Sequence, residues 1–556
     1  MVRRVIKLVY SEVRGLHQAA YVLALFAFGS QLLALVRDRM LAHQFGAATE
    51  LDIYYAAFKV PDLLYVLFAS TLSVYVLIPF VTTCEHNEDG EGARHLLSQV
   101  FSVFLVGYTI LAAVLFVCVP YIMPKLFPGL TDHVDTLTLV TRILLIQPML
   151  LGVSSLFGVV TQLGHRFVLY AISPLVYNIG IIIGLAALYP AYGLAGLAVG
   201  VVLGACGHML VQWPLVRTSA FAFSFTRSIS WKTIRSVLAV SIPRAVTLSL
   251  HQLTLLVLIS LASVMTVGSV SVFQFAYNLQ SVPLAIVGAS YSIAAFPMLA
   301  DLFAQKKYDV FARHVISAMR HIIFWSVPIA GLIIVLRAHI VRVVLGSGAF
   351  DWSDTKLVAA VLAILCLSLV AQAINLLIVR TFYAAGKTGV PLLVTGIGSV
   401  ATMMCAGVLY SWYQVHDGGW LPVVLRIDDV VGSEVIVLAL AYAVSLILQT
   451  ACLVCIASWQ FSIDVRWWPM HVLRALAAAV AGAVAAYATL QFVVVGINQE
   501  TFIGIFIQGL LAGLIGIVGV VLTYIALRSP EVTEVLRSVR GRIFKTDVVA
   551  PQDTTL

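Results

Sequence analysis

The chain has 556 residues, of which 61% are hydrophobic and only 10% charged, with a formal net charge of +8. A soluble domain carries about 25% charged residues, so the composition excludes a soluble globular protein and points to an all-α polytopic membrane protein. The positive balance does not point to nucleic acid, because the basic residues gather in loops on one side of the apolar runs.

The basic start MVRRVIKLVYSEVR leads into an apolar run of span length with no small-residue cleavage site, so no cleavable signal peptide is expected. Runs of about 20 apolar residues number about fourteen. They begin near Leu16, Leu51, Val100, Leu137, Val168, Tyr192, Ile234, Val270, Val315, Leu357, Val390, Val435, Leu473 and Phe502. The loop YPAYGLAG is so short that the fifth and sixth spans must form a tight hairpin. Lys and Arg fill the N-terminus (Arg3, Arg4, Lys7, Arg14), the even-numbered connections and the tail (Arg528, Arg537, Arg540, Arg542, Lys545). The opposite side has only Lys125, Arg342, Lys356 and Arg426. By the positive-inside rule both termini are cytoplasmic, which an even span count requires.

Between Phe28 and Phe80 two spans hold Arg37, Asp38, Arg39, Asp52, Lys59 and Asp62. A charge at membrane depth costs about 2.5–3.5 kcal/mol on insertion scales, so it normally faces a wet cavity or a partner. Ser30 and Arg37 share one stripe of the first helix, and Gln31 and Asp38 the adjacent one. On the second, Asp52, Lys59, Ser70 and Ser73 fall in one arc, with Asp62 one turn from Lys59. Pro61 and Pro79 should bend this helix. The cluster reads as a substrate pathway, against a blander reading as ion pairs that join two helices.

The chain holds seven cysteines, and Cys452 and Cys455 match a redox or metal spacing within an apolar helix, where packing is the expected role. The long outer loop from Tyr413 to Glu434 suits a lid or a tether. The tail is expected to be an amphipathic basic segment against lipid headgroups, with a disordered end.

An internal repeat organises the spans. AAFKVPDLLYVLFASTLSVYVLIPF near the second span matches FAYNLQSVPLAIVGASYSIAAFPML near the eighth, with Pro79 opposite Pro297. TQLGHRFVLY resembles YAAGKTGVPL at the same offset. The even offset implies parallel lobes of about six helices each, and a cleft between such lobes is where an alternating-access carrier places its substrate. The expected domains are an N-terminal lobe (1–216), a C-terminal lobe (217–460), two added helices (461–527) and a cytoplasmic tail (528–556). The second lobe should add His251, Gln252, Gln274, Asn278, Ser281 and Ser292 to the cleft; Gln274, Asn278 and Ser281 share a helix face. Neutral polar residues of this kind also serve plain helix–helix hydrogen bonding. Asn178 reads as a packing residue, and Arg244, Arg320, Arg380 and Arg474 as snorkelling at helix ends. No Walker loop, metal-ligand constellation or nucleophilic grouping is present, so no cofactor and no enzymatic chemistry are expected.

Several stretches carry a resemblance. Leu35-Val36-Arg37-Asp38 precedes Gln44-Phe45-Gly46-Ala47, and Asp52 precedes Ala57-Phe58-Lys59-Val60-Pro61. Gly164-His165-Arg166-Phe167, Ser173-Pro174 with Asn178, Gly268-Ser269-Val270-Ser271, Pro283 with Pro297, and Phe382-Tyr383-Ala384 follow. Together they resemble the MurJ (MviN) family, lipid II flippases of the multidrug/oligosaccharidyl-lipid/polysaccharide exporter superfamily. The resemblance implies a V-shaped pair of lobes around a cationic cavity and a groove for the lipid tail on the last two helices. It also implies a bacterial plasma membrane location and an undecaprenyl diphosphate type of cell-wall precursor as substrate, flipped from the inner to the outer leaflet. The chain departs from the family at Gln31 and Asn278, where the family carries arginines, and after Pro61, where Asp62, Tyr65 and Val66 replace Asn and paired arginines. Only Arg37 and Lys59 match the family's cavity cations.

The leading expectation is a lipid II flippase in which Arg37 and Lys59 contact the diphosphate. Asp38, Asp52 and Asp62 would position those cations or take part in gating, and Ser30, Gln31, Gln274 and Asn278 would be neutral contacts. The alternatives are an ion-coupled exporter of another lipid-linked oligosaccharide or small amphiphile, with the three carboxylates as coupling groups, and a non-transporting scaffold. A coupling cation fits the first two.

Overall fold

The computed structural model describes residues 16–69, 77, 80–81, 91–164, 166–219, 221–416, 418–464, 466, 468–494, 496–497, 501–532 and 534. Ser70, Ser73, Pro79, Cys84, His165, the basic N-terminal residues and the tail from Val535 onward lie outside the described residues, as does the side chain of Arg244.

All regular structure among the described residues is helical. Among the described residues, ten helices are long and apolar enough to cross a membrane, or up to eleven if the bent pair Trp352–Leu367 and Leu369–Ala384 is one span. Every expected span start lies in a helical element, although about fourteen spans is a finer statement than ten or eleven. Thr49–Ala57 and Lys59–Ala69 are each too short to count, with 9 and 11 residues. Outward faces carry large apolar side chains, such as Ile503, Phe492 and Leu522, which suits contact with lipid rather than water. Cys452 and Cys455 are exposed, so they do not take the packing role expected of them.

The described residues fall into two compact units. The first comprises Met1–Asn278, Val344–Val361 and Thr388–Ser445. In it the Phe167–Ile183 helix packs on Leu16–Phe45 and on Tyr189–Leu210, and Trp231–Ser263 packs on Lys59–Ala69 and Gly389–His416. The expected hairpin is present: the chain turns at Gly193 (φ 58°), and a Cβ on Gly180 would sit 2.2 Å from the Cα of Gly204. Only glycine permits this approach, the small-residue packing that replaces hydrophobic association in lipid. The Tyr413–Glu434 loop is fastened in three places. Lys356 binds Asp429, the Tyr413 and Ser433 hydroxyls pair at 2.7 Å, and Glu434 accepts from the backbone and hydroxyl of Thr266.

The second unit comprises Leu279–Val343, Leu362–Lys387 and Leu446–Leu556. Trp468–Ala488 packs closely on Phe502–Ala526, and Ser290–Ala304 on Leu369–Ala384. Two arginines depart from expectation. Arg320 donates through Nε (3.0 Å) and Nη2 (2.8 Å) to the buried Glu531, and Arg380 donates to Ser292 Oγ at 2.6 Å. Both are held by protein partners instead of snorkelling, because an acceptor within the fold orients the guanidinium better than a mobile headgroup. Glu531 also accepts from Ser529. Burial alone would raise its carboxyl, but hydrogen bonds from Ser529 and Arg320 outweigh that and hold it below the usual value of 4.5. The lobe division at 1–216 and 217–460 rests on the internal repeat rather than on contacts.

Candidate functional site

The first unit gathers most of the charged residues singled out above, and a proline explains how. Pro61 has no N–H to offer the carbonyl of Ala57, and its ring would clash there. The helix therefore ends at Ala57 and resumes at Lys59. Asp52 and Lys59, expected in one arc, both reach the Ser269–Pro283 helix, Asp52 at Ser271 and Lys59 one turn further on at Gln274.

Asp52 meets the start of the Ser269–Pro283 helix. Its Oδ2 accepts from the Gly268 N–H (2.8 Å), and its Oδ1 accepts from the Ser271 N–H (2.8 Å) and hydroxyl (2.6 Å). A helix start leaves backbone N–H groups unpaired, and a carboxylate there satisfies them and suits the dipole. Gly268 is required at this turn: its φ is 91°, and a Cβ would lie 2.3 Å from the Ala47 carbonyl oxygen. Asp52, expected beside the cations, thus pairs with no charged group among the described residues. It fixes the helix that bears Gln274 and Asn278.

Those two amides complete a continuous relay. Lys59 Nζ donates to Gln274 Oε1 at 2.8 Å, Gln274 Nε2 to Asn278 Oδ1 at 2.9 Å, and Asn278 Nδ2 to Asp38 Oδ2 at 3.0 Å. From the other end, Arg37 Nε and Nη2 donate to Asp38 Oδ1 at 3.0 and 2.8 Å. Arg37 Nη1 reaches Asn178 Oδ1 at 3.1 Å, while Asn178 Nδ2 donates to Ser30 Oγ at 3.3 Å. Every link carries a donor facing an acceptor, and both cations converge on the single carboxylate of Asp38. That satisfaction is what makes a buried ion pair tolerable in an apolar interior.

The cations are not saturated. A guanidinium offers five N–H donors and an ammonium three; Arg37 uses three and Lys59 one. The remaining donors border a cavity of about 140 Å³ whose walls include Arg37, Lys59, Asp62, Tyr54, Tyr55 and Tyr177. Asp62 lines it without an ion pair or side-chain hydrogen bond to any described residue. Arg37, Lys59, Gln274, Asn278 and Asp62 are therefore brought together around one space, with Asp38 bonded to Arg37 and Asn278. Ser30 stands at the far end of the relay. Gln31 is half-buried outside it. His251 pairs with the Tyr277 hydroxyl at 3.2 Å, away from the cavity lining, and Ser292 belongs to the second unit. Sequence reasoning gave Asn178 only a packing role and passed over Tyr54, Tyr55 and Tyr177. The signal was faint: a tyrosine pair shortly before Lys59, and a tyrosine adjoining Asn178.

Membrane-length helices with a charged relay and a cavity of about 140 Å³ fit a membrane transporter. Solved structures agree on the fold. An inward-facing multidrug resistance MATE family transporter of the MOP superfamily superposes with a TM-score of 0.64 at 13% identity, covering 78% of this chain and 94% of that one. A structure described as lipid II flippase MurJ in an inward closed conformation gives 0.70 at 21% identity, covering 91% of this chain and 99% of that one. A family model described as lipid II flippase MurJ matches residues 41–511, and the chain belongs to that family. A probable lipid II flippase MurJ of Rhizobium meliloti (strain 1021) is 27% identical over 394 residues, covering 69% of this chain and 73% of the relative. One from Thermotoga maritima is 25% identical over 434 residues, covering 76% and 87%.

Proposed function

We propose that this protein is a flippase that moves lipid II, the lipid-linked peptidoglycan precursor, from the inner to the outer leaflet by alternating access. One observation carries the reading at the level of the site: Arg37 and Lys59 keep unused N–H donors on one cavity. A diphosphate leaving water needs such cationic donors in place of its hydration shell. Arg37 and Lys59 would contact the diphosphate, with Gln274 and Asn278 as neutral contacts and Ser30 and Gln31 at the margin. Asp38 holds both cations in place, and Asp52 acts on them at one remove by anchoring the helix that carries the amides. The substrate's lipid is of the undecaprenyl diphosphate type, and the last two helices, Trp468–Ala488 and Phe502–Ala526, form its groove. The remaining parts of the reading are lobes at 1–216 and 217–460, about fourteen spans and both termini in the cytoplasm of a bacterium.

The test is transport by purified protein in proteoliposomes loaded with fluorescent lipid II, read by quenching of the lipid that reaches the far leaflet. Protein-dependent translocation that Arg37→Ala abolishes supports the reading; equal translocation by a well-folded Arg37→Ala variant overturns the site assignment. Asp62, unpaired on the cavity wall, favours a second reading: an exporter coupled to a cation that binds this carboxylate. Transport of lipid II that is insensitive to the cation gradient would dismiss it.

A further inference from the structure

Two of the tyrosines on the cavity carry hydroxyls that the fold leaves unused. Tyr54 and Tyr55 both line the space with Arg37 and Lys59, and they are only 3% and 8% exposed. The buried Tyr55 hydroxyl has no hydrogen-bond partner among the described residues, and that of Tyr54 bonds to none of them either. Neither donates to Asp38, whose oxygens accept from Arg37 and Asn278. Both lie near enough to Arg37 to feel its charge. Packing holds the rings in place: Tyr54 meets Phe58 edge-on with ring centroids 4.9 Å apart, and Tyr55 meets Phe275 in the same manner at 5.8 Å. Tyr177, which also lines the cavity, differs, since its hydroxyl is paired with Gln147 at 3.0 Å.

A buried hydroxyl without a partner is costly, so two such residues on one cavity suit a ligand that completes them. A phenol O–H can donate as well as accept. Beside it, Arg37 and Lys59 keep unused N–H donors on the same cavity. The ligand atom that serves all of these groups at once is an anionic oxygen, which accepts from cations and hydroxyls alike. Charge points the same way. Arg37 and Lys59 are already matched by Asp38 and Asp62, and a further cation would carry the cost of burying another ion. A phenol adds a donor that bonds an anion strongly and brings no charge of its own.

We propose that the Tyr54 and Tyr55 hydroxyls donate to the phosphate oxygens of the transported lipid, alongside Arg37 and Lys59. The inference rests on the flippase reading and adds two binding residues to it. The anion is held by a mixed set, in which the cations supply charge and the phenols supply direction. Each hydroxyl gains its partner only with the substrate, so it contributes to affinity and nothing to the stability of the protein alone.

The experiment measures binding of two lipids, lipid II and undecaprenyl diphosphate, to the purified full-length protein, together with its melting temperature. The second lipid keeps the anion without sugar or peptide. Tyr54→Phe and Tyr55→Phe keep the rings and remove only the hydroxyls. Each should weaken binding of both lipids about tenfold, or ~1.4 kcal/mol. Each should also melt no lower than the wild type, because the hydroxyl removed had no partner to lose. Unchanged binding by either variant overturns the assignment of that hydroxyl, while binding by the wild type keeps the flippase reading intact. A loss confined to lipid II overturns the phosphate contact and moves the hydroxyls to the sugar or the peptide. A clear fall in melting temperature gives the hydroxyl a structural role and overturns the proposal as well. A wild type that binds neither lipid overturns the flippase reading and the proposal together.

Discussion

Asp52 offers the sharpest test of how the site is built. It was placed among the charges by its position in the sequence, but in the fold it satisfies two backbone N–H groups and one hydroxyl at the start of the Ser269–Pro283 helix. Asp52→Ala strands the N–H groups of Gly268 and Ser271 in a buried place, while the Ser271 hydroxyl retains its 3.1 Å contact with the Gly268 carbonyl. Each orphaned buried donor costs about 1–3 kcal/mol, which sums to roughly 4 kcal/mol for the two. Asp52→Asn keeps one accepting oxygen and orphans one donor, for about 2 kcal/mol. The assay is unfolding of the detergent-solubilised protein by titration with a denaturing detergent, followed by tryptophan fluorescence. The order wild type, Asn, Ala is expected, in steps of about 2 kcal/mol. An Asp52→Ala protein within about 1 kcal/mol of wild type, or an Asn variant less stable than Ala, would refute the anchoring role, since a missing acceptor would then carry no penalty.

Further outcomes follow from other contacts. Gly268→Ala should prevent stable insertion, because its Cβ meets the Ala47 carbonyl and its φ is left-handed; the yield of monodisperse protein on size exclusion reads this directly. Asn178→Leu should weaken transport more than stability, since it frees Arg37 Nη1 from its 3.1 Å bond to the Phe167–Ile183 helix; transport rate and melting temperature measured together separate the two. Glu531 gives a pH effect with a definite sign. Its folded carboxyl lies below the unfolded value of 4.5, so its contribution is present above that pH and is lost as pH falls through the lower folded value. Glu531→Gln should remove that part of the acid sensitivity, as seen in melting temperature against pH.

How much of this was legible in the sequence depended on whether one helix sufficed to read it. Arg37, Asp38 and Lys59 stood out because a charge in an apolar run is expensive wherever the helix faces. Gln274 and Asn278 followed from spacing along a single helix, and they do meet, at 2.9 Å. Asn178 was read only as packing because its partner Arg37 lies 141 residues away, and helical periodicity says nothing about which helix stands opposite. Spacing put Asp52 and Lys59 in one arc, and both reach the Ser269–Pro283 helix; what spacing along one helix does not reveal is that Asp52 meets backbone N–H groups there and not a cation. The cavity tyrosines were silent because an aromatic residue in an apolar run looks the same whether it faces lipid, core or a ligand. Arg320 was expected to snorkel because its partner, Glu531, is 211 residues further on, just beyond the last span.

The central claim is that Arg37 and Lys59 together hold the anionic part of a lipid-linked cell-wall precursor. It is tested most directly by expressing this chain in a bacterium depleted of its own lipid II flippase and scoring survival, with Arg37→Ala and Lys59→Met variants matched for membrane insertion. The account predicts rescue by the wild type and loss of rescue by either variant. Rescue undiminished by both substitutions, or no rescue by a correctly inserted wild type, would contradict it.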